Sequence, residues 1–87
     1  GLKVMNKFEV GDRVIISENI YNFTFAFLTK GEKGTVKEIL EDSVIVEFDN
    51  DVDGWGNEEL GIKEGHGAFI MNDRLNLLKE WKRDKVL

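Results

Sequence analysis

Residues 35–49, Thr-Val-Lys-Glu-Ile-Leu-Glu-Asp-Ser-Val-Ile-Val-Glu-Phe-Asp, decide the fold class. In the second half, 43–49 (SVIVEFD), Val44, Val46 and Phe48 fall on one face of an extended chain, because successive side chains of a strand point to opposite faces. The first half, 35–40 (TVKEIL), is a second strand-like run, and Glu41-Asp42 between them is short enough for a hairpin connection. Upstream, residues 13–17 (RVIIS) form a β-branched run after the turn signal Gly11-Asp12. Downstream, 67–71 (GAFIM) and 75–78 (LNLL) flank Asn72-Asp73, which suits a single tight turn.

Two segments interrupt this pattern. Residues 18–30 (ENIYNFTFAFLTK) are a long excursion between the first two strands, and 49–65 read as an acidic, glycine-rich loop before the fourth. Five short strands with a long first loop and a one-turn break before the last describe an all-β chain, a small five-stranded SH3-like barrel. A competing pattern runs from 73 to 86. Asp73 is a good helix N-cap, and Leu75, Leu78 and Trp81 recur at helical spacing with Leu77 beside them, which would make the domain α+β. The strand is favoured over 75–78, with a short C-terminal helix only after Lys79.

The 87 residues are enough for one domain, with a core over about 8–79 and a tail at 80–87. Without cysteine the chain has no disulfide, thiolate metal site or cysteine nucleophile, and its single histidine leaves little for acid–base or metal chemistry. Lys and Arg number 12 against 17 Asp and Glu, a net charge of −5, which disfavours non-specific binding to phosphate backbones. No apolar run approaches the roughly 20 residues of a membrane helix. Lys3, Asn6 and Lys7 break any signal-peptide pattern, so a cytoplasmic location is expected by default.

Gly11-Asp12-Arg13-Val14, Lys30-Gly31-Glu32-Lys33-Gly34-Thr35-Val36 and Val44-Ile45-Val46-Glu47-Phe48-Asp49 together resemble the KOW and mind bomb-type SH3-like domains. The closing Gly67-Ala68-Phe69-Ile70 and Asp73-Arg74-Leu75-Asn76-Leu77-Leu78 fit the same plan, which is also similar to small SH3-like proteins of phages and prophages. The resemblance spans about residues 8–79. It rests on turn glycines and core alternation, so it implies a fold more than a ligand. KOW domains are commonly basic, and this chain is acidic.

Several residues carry candidate chemistry. Asp49, Asp51 and Asp53, followed by Gly54, have the spacing that opens an EF-hand calcium loop, but the twelfth position is Leu60 where a bidentate glutamate belongs. No metal or other cofactor is therefore expected, and these carboxylates are the weak candidate for one. Tyr21, Phe23, Phe25 and Phe27 alternate through the first excursion, either as groove-lining contacts or as an extra strand closing the barrel end. Tyr21 is the best placed for exposure, since its hydroxyl tolerates water. Trp55, between two glycines, is either a lid over a groove or a plug of the barrel. His66, between Gly65 and Gly67, is expected as a pocket wall or a hydrogen-bonded turn residue, the glycines serving close backbone packing.

The expectation is a non-enzymatic module that binds a protein or peptide, preferably basic. Its contacts would come from Tyr21, Phe23, Trp55, His66 and Phe69, in a groove between the first excursion and the 53–65 loop. Two alternatives compete. One is a KOW-like nucleic-acid or ribonucleoprotein module using Arg13, Lys30, Lys33 or the tail. The other is an acidic phage protein whose Glu47–Glu59 stretch imitates nucleic-acid phosphates. The tail holds Lys79, Lys82, Arg83 and Lys85 against Glu80 and Asp84.

Overall fold

A computed structural model describes residues 6–21 and 27–80, with Tyr21 and Phe27 described by backbone alone. The strands are β1 (Arg13–Ile16), β2 (Ile20–Tyr21), β3 (Phe27–Leu28), β4 (Lys33–Ile39), β5 (Ser43–Phe48), β6 (Trp55–Asn57), β7 (Ile62–Met71) and β8 (Leu75–Leu77). A 3₁₀ turn, Asn72–Arg74, separates β7 from β8. The chain is all-β, as its alternation implies.

Six of these strands form one antiparallel sheet in the order β6-β7-β5-β4-β1-β8. The last strand lies beside the first, Ile15 opposite Asn76. The central hairpin forms as expected, with Val36 opposite Val46 and Ile39 opposite Val44, and a bulge between Val36 and Glu38. β7 then pairs with β5, Val44 opposite Ile70 and Val46 opposite Ala68.

Four sequence expectations need correction. The sheet does not close into a five-stranded barrel, because β6 and β8 are its edges. The core they leave open is sealed by side chains from outside the sheet: Phe8 and Leu28 are buried in it, and Ile20 and Val52 pack against it. The first excursion is not all loop, since its ends pair as a β2–β3 ribbon with Ile20 opposite Leu28. The acidic segment is not all loop either. It holds β6, and β7 begins at Ile62, five residues before the expected Gly67. At the C-terminal end the favoured strand forms, but β8 stops at Leu77 and helix begins at Leu78, where the strand was expected to reach Leu78 and helix to start only after Lys79. The segments 22–26 and 81–87, with Phe23, Phe25 and Trp81, lie outside the described residues.

One face of the sheet carries the core. Val14 and Ile16 of β1, Val36 of β4, Val44, Val46 and Phe48 of β5 meet Ala68, Ile70 and Leu75 there, all buried. Burying a side chain of this size contributes about 1.5–3 kcal/mol, which makes this cluster the main source of stability. Asn6 ties the chain start to the far end of the sheet. Its side-chain amide donates to the carbonyls of Leu40 (3.0 Å) and Ser43 (3.2 Å) and to Asn72 Oδ1 (3.4 Å).

Candidate functional site: the outer face of β7

Strand alternation turns Phe69 and Met71 away from the core, onto the outer face of the sheet. Among the described residues the exposed large apolar side chains are Val10, Phe69 and Met71, the last two 53% and 50% exposed. Phe69 and Met71 are neighbours on one face of one strand. Across the sheet from Phe69 stands Ile45, and across from Ile45 stands Glu38. Ser43 faces Met71.

The next row of the same face is Arg13, Thr35, Glu47, Gly67 and Trp55, each opposite the next. Gly67 is the contact point of this row. A Cβ there would lie 2.7 Å from the Trp55 carbonyl oxygen, 2.8 Å from Ile62 Cγ2 and 3.2 Å from Trp55 Cε3. The missing side chain lets the Trp55 ring and the buried Ile62 rest on the outer face. β6 comes equally close, since a Cβ on Gly54 would sit 2.0 Å from the Gly67 carbonyl oxygen.

Gly65 supplies the bend that makes this crossing. Its φ is +91°, a left-handed conformation that glycine adopts without strain. Its carbonyl accepts from the N–H groups of both Val52 and Gly54 at 2.9 Å. The β6–β7 turn then leans over the outer face, where the Lys63 N–H donates to Glu47 Oε2 at 2.8 Å. Glu47 also faces Lys37 Nζ at 3.6 Å. The close packing expected of Gly65 and Gly67 is thus what seats the hairpin.

Of the five contact residues read from the sequence, Trp55 and Phe69 share this outer face. Trp55 is half-buried against Gly67 and lies outside the core cluster, so it does not fill the core. His66 is separated from them. Flanked by outward Gly67, it turns to the core side, where Nδ1 meets the Phe48 carbonyl oxygen at 2.8 Å. A carbonyl only accepts, so this contact holds the proton on Nδ1. Tyr21 takes part in the β2–β3 ribbon through its backbone, and Phe23 lies outside the described residues.

No family model, curated protein or solved structure matches this chain.

The calcium-like carboxylates do not converge. Asp49 accepts from Arg13 at 2.8 and 2.6 Å, a two-pronged contact in which Arg13 also reaches Thr35 Oγ1. That hydrogen bond holds the Asp49 carboxyl below its ordinary range, with smaller favourable fields from Lys33 and His66. Asp51 instead accepts the N–H of Asp53 at 2.8 Å, and Asp53 sits in the left-handed region at φ +59°. Among the described residues no group of three or more His, Asp or Glu side chains is arranged to hold a metal ion.

A shallow polar depression of about 440 Å³ lies between residues 29–33 and 49–50, and no residue of the 53–65 segment lines it, so it is not the groove expected there. The Asn50 amide crosses to Glu32 at 3.3 Å, and neither Trp55 nor Phe69 lines it. The apolar contact area lies on the outer face of β7. Met71 went unnoticed in the sequence, although its alternation with buried Ile70 is a readable signal.

Proposed function

We propose that this chain is a non-enzymatic SH3-like binding module that takes a protein or peptide on the outer face of β7. The observation that carries the proposal is the pair Phe69 and Met71, side by side and half-exposed on a sheet whose opposite face is sealed. Adjacent apolar side chains left in water mark an interaction surface. Full burial of each would contribute about 1.5–3 kcal/mol, so their half-exposure leaves on the order of 2 kcal/mol for a partner to gain. Trp55, half-buried beside them, adds a rigid aromatic edge.

The SH3-like assignment is supported by the long excursion between β1 and β4, the pairing of β8 with β1, and the one-turn break before β8. Protein is favoured over nucleic acid by charge. Arg13, one of the cations a nucleic-acid reading needs, is held by Asp49.

The test compares capture from a lysate of the source cells by the native chain and by Phe69→Thr/Met71→Thr, with and without nuclease. A protein that survives nuclease and is lost with the double variant supports the proposal. A partner that the double variant retains, or that nuclease removes, contradicts it.

A further inference from the structure

We infer that Asp53 is a site of spontaneous isomerisation to isoaspartate, held off while β6 lies docked on β7 and locking that hairpin open once it occurs. Asp53 is the one Asp or Asn of this chain that a glycine follows. Glycine has no Cβ to shield its own backbone nitrogen, so this is the link where a carboxyl reaches the next nitrogen most easily. Asp53 is exposed, and its carboxyl has no hydrogen-bond or ion-pair partner among the described residues. Its φ of +59° lies in the left-handed region, which residues other than glycine enter at a cost.

The reaction is a rearrangement that needs no reagent but water. The Gly54 nitrogen attacks Asp53 Cγ and gives up its proton, the carboxyl gives up a hydroxyl, and one water leaves as a succinimide ring closes. Water then adds at the Asp53 backbone carbonyl carbon, and the bond from that carbon to the Gly54 nitrogen breaks. The main chain now runs through Cβ and Cγ, the old carbonyl carbon is a free carboxyl, and the mass is unchanged.

The docked hairpin opposes the first step. The Gly54 N–H donates to the Gly65 carbonyl oxygen at 2.9 Å, which keeps the proton on the attacking nitrogen and fixes the plane of the link. A Cβ on Gly54 would sit 2.0 Å from the Gly67 carbonyl oxygen and 3.0 Å from its carbon, so the backbone has no room to turn there without leaving β7. The product does not fit the same seat. Isoaspartate adds one main-chain carbon between Val52 and Gly54, whose N–H groups share the Gly65 carbonyl oxygen. The longer span moves Gly54 off Gly65 and Gly67, and Trp55, which also rests on Gly67, moves with it. A hairpin that opens briefly and reacts is thereby kept open. It then presents an isoaspartyl carboxyl, the group that carboxyl methyltransferases accept from S-adenosylmethionine.

The test ages the full native chain for weeks at neutral pH beside the same chain unfolded in guanidinium chloride. Isoaspartate is read by peptide mapping and by methyl transfer from S-adenosylmethionine. The expected result is isoaspartate at position 53 in both samples, formed at least about ten-fold more slowly in the native chain, with the Gly54 amide protected from hydrogen exchange by a similar factor. Asp53→Glu keeps the charge and would need a larger ring, so it should accept no methyl group at this position. The isoaspartyl chain, once separated, should show shifted Trp55 indole and Gly67 amide resonances that refolding does not restore.

Equal rates in the native and the unfolded chain would overturn the inference, since the docked hairpin would then hold nothing off. An isoaspartyl chain whose Trp55 and Gly67 resonances coincide with those of the unreacted chain would overturn it as well. So would the absence of isoaspartate from the aged, unfolded chain.

Discussion

Ile70 and Met71 are adjacent in β7, yet one is 2% exposed and the other 50%. The difference belongs to the two faces of the sheet. On the inner face Val44, Val46 and Phe48 of β5 and Ala68 and Ile70 of β7 are buried in one cluster with side chains from β1, β4 and β8. On the outer face a glycine stands where a side chain could be, Glu47 bridges to Lys37 and the backbone of Lys63, and Phe69 and Met71 remain half in water. The same period-two rule produces both faces: on the outer one Ile15 and Ile45 are buried, while Phe69 and Met71 stay half-exposed.

Substitutions can break this contrast, beginning with the inner face. Phe48→Ala removes a fully buried ring and should cost about 3–5 kcal/mol by urea unfolding, a large share of the 5–15 kcal/mol typical of a domain. Gly67→Ala tests the seat of the hairpin. Its Cβ would meet the Trp55 carbonyl at 2.7 Å. Overpacking of this kind costs about 1–3 kcal/mol, and the Trp55 indole resonance should move with it. Ile70→Ala and Met71→Ala compare neighbours directly: about 2–5 kcal/mol for the first and about 1 kcal/mol or less for the second, by the same urea measurement. If Met71→Ala cost as much as Ile70→Ala, the outer face would be structural.

The smallest effect is expected at the exposed Arg13–Asp49 pair. Arg13 and Asp49 are both well exposed, so Arg13→Ala should cost only about 0.2–1 kcal/mol. Its pH dependence has a definite sign. Arg13 lowers the Asp49 carboxyl from its ordinary 3.8, so the contribution is fully present above that value and fades as pH falls through the lowered one. The stability difference between native chain and variant should therefore vanish in acid, as followed by urea unfolding across pH.

Much of the inner face was legible in the sequence. Val44, Val46 and Phe48 alternate with no competing period, and the short Glu41-Asp42 connection leaves their strand little choice of partner. β6 was not legible. Trp55-Gly56-Asn57 has no periodicity, and it packs by close contact on Gly67, distant along the chain but adjacent in space. The early start of β7 was hidden because Lys63-Glu64-Gly65 combines two charges with a glycine, the usual composition of a loop.

The candidate site was legible in part. Phe69 was singled out, and its outward direction follows once Ala68 and Ile70 face the core. Trp55 had two readings, and only the register with Gly67 separates them. The Asp49-Asp51-Asp53 spacing suggested a cation because linear spacing ignores direction. Asp49 turns to Arg13 on β1, and Asp51 turns to the N–H of Asp53.

The most direct test of the outer face as a docking surface compares protein capture from a cell lysate by the native chain and by Phe69→Thr/Met71→Thr. Threonine suits a strand and leaves every charge of the chain unchanged. The account predicts a folded variant that retains at least about ten-fold less of the captured protein than the native chain. A folded variant that captures the same protein as fully as the native chain would contradict it.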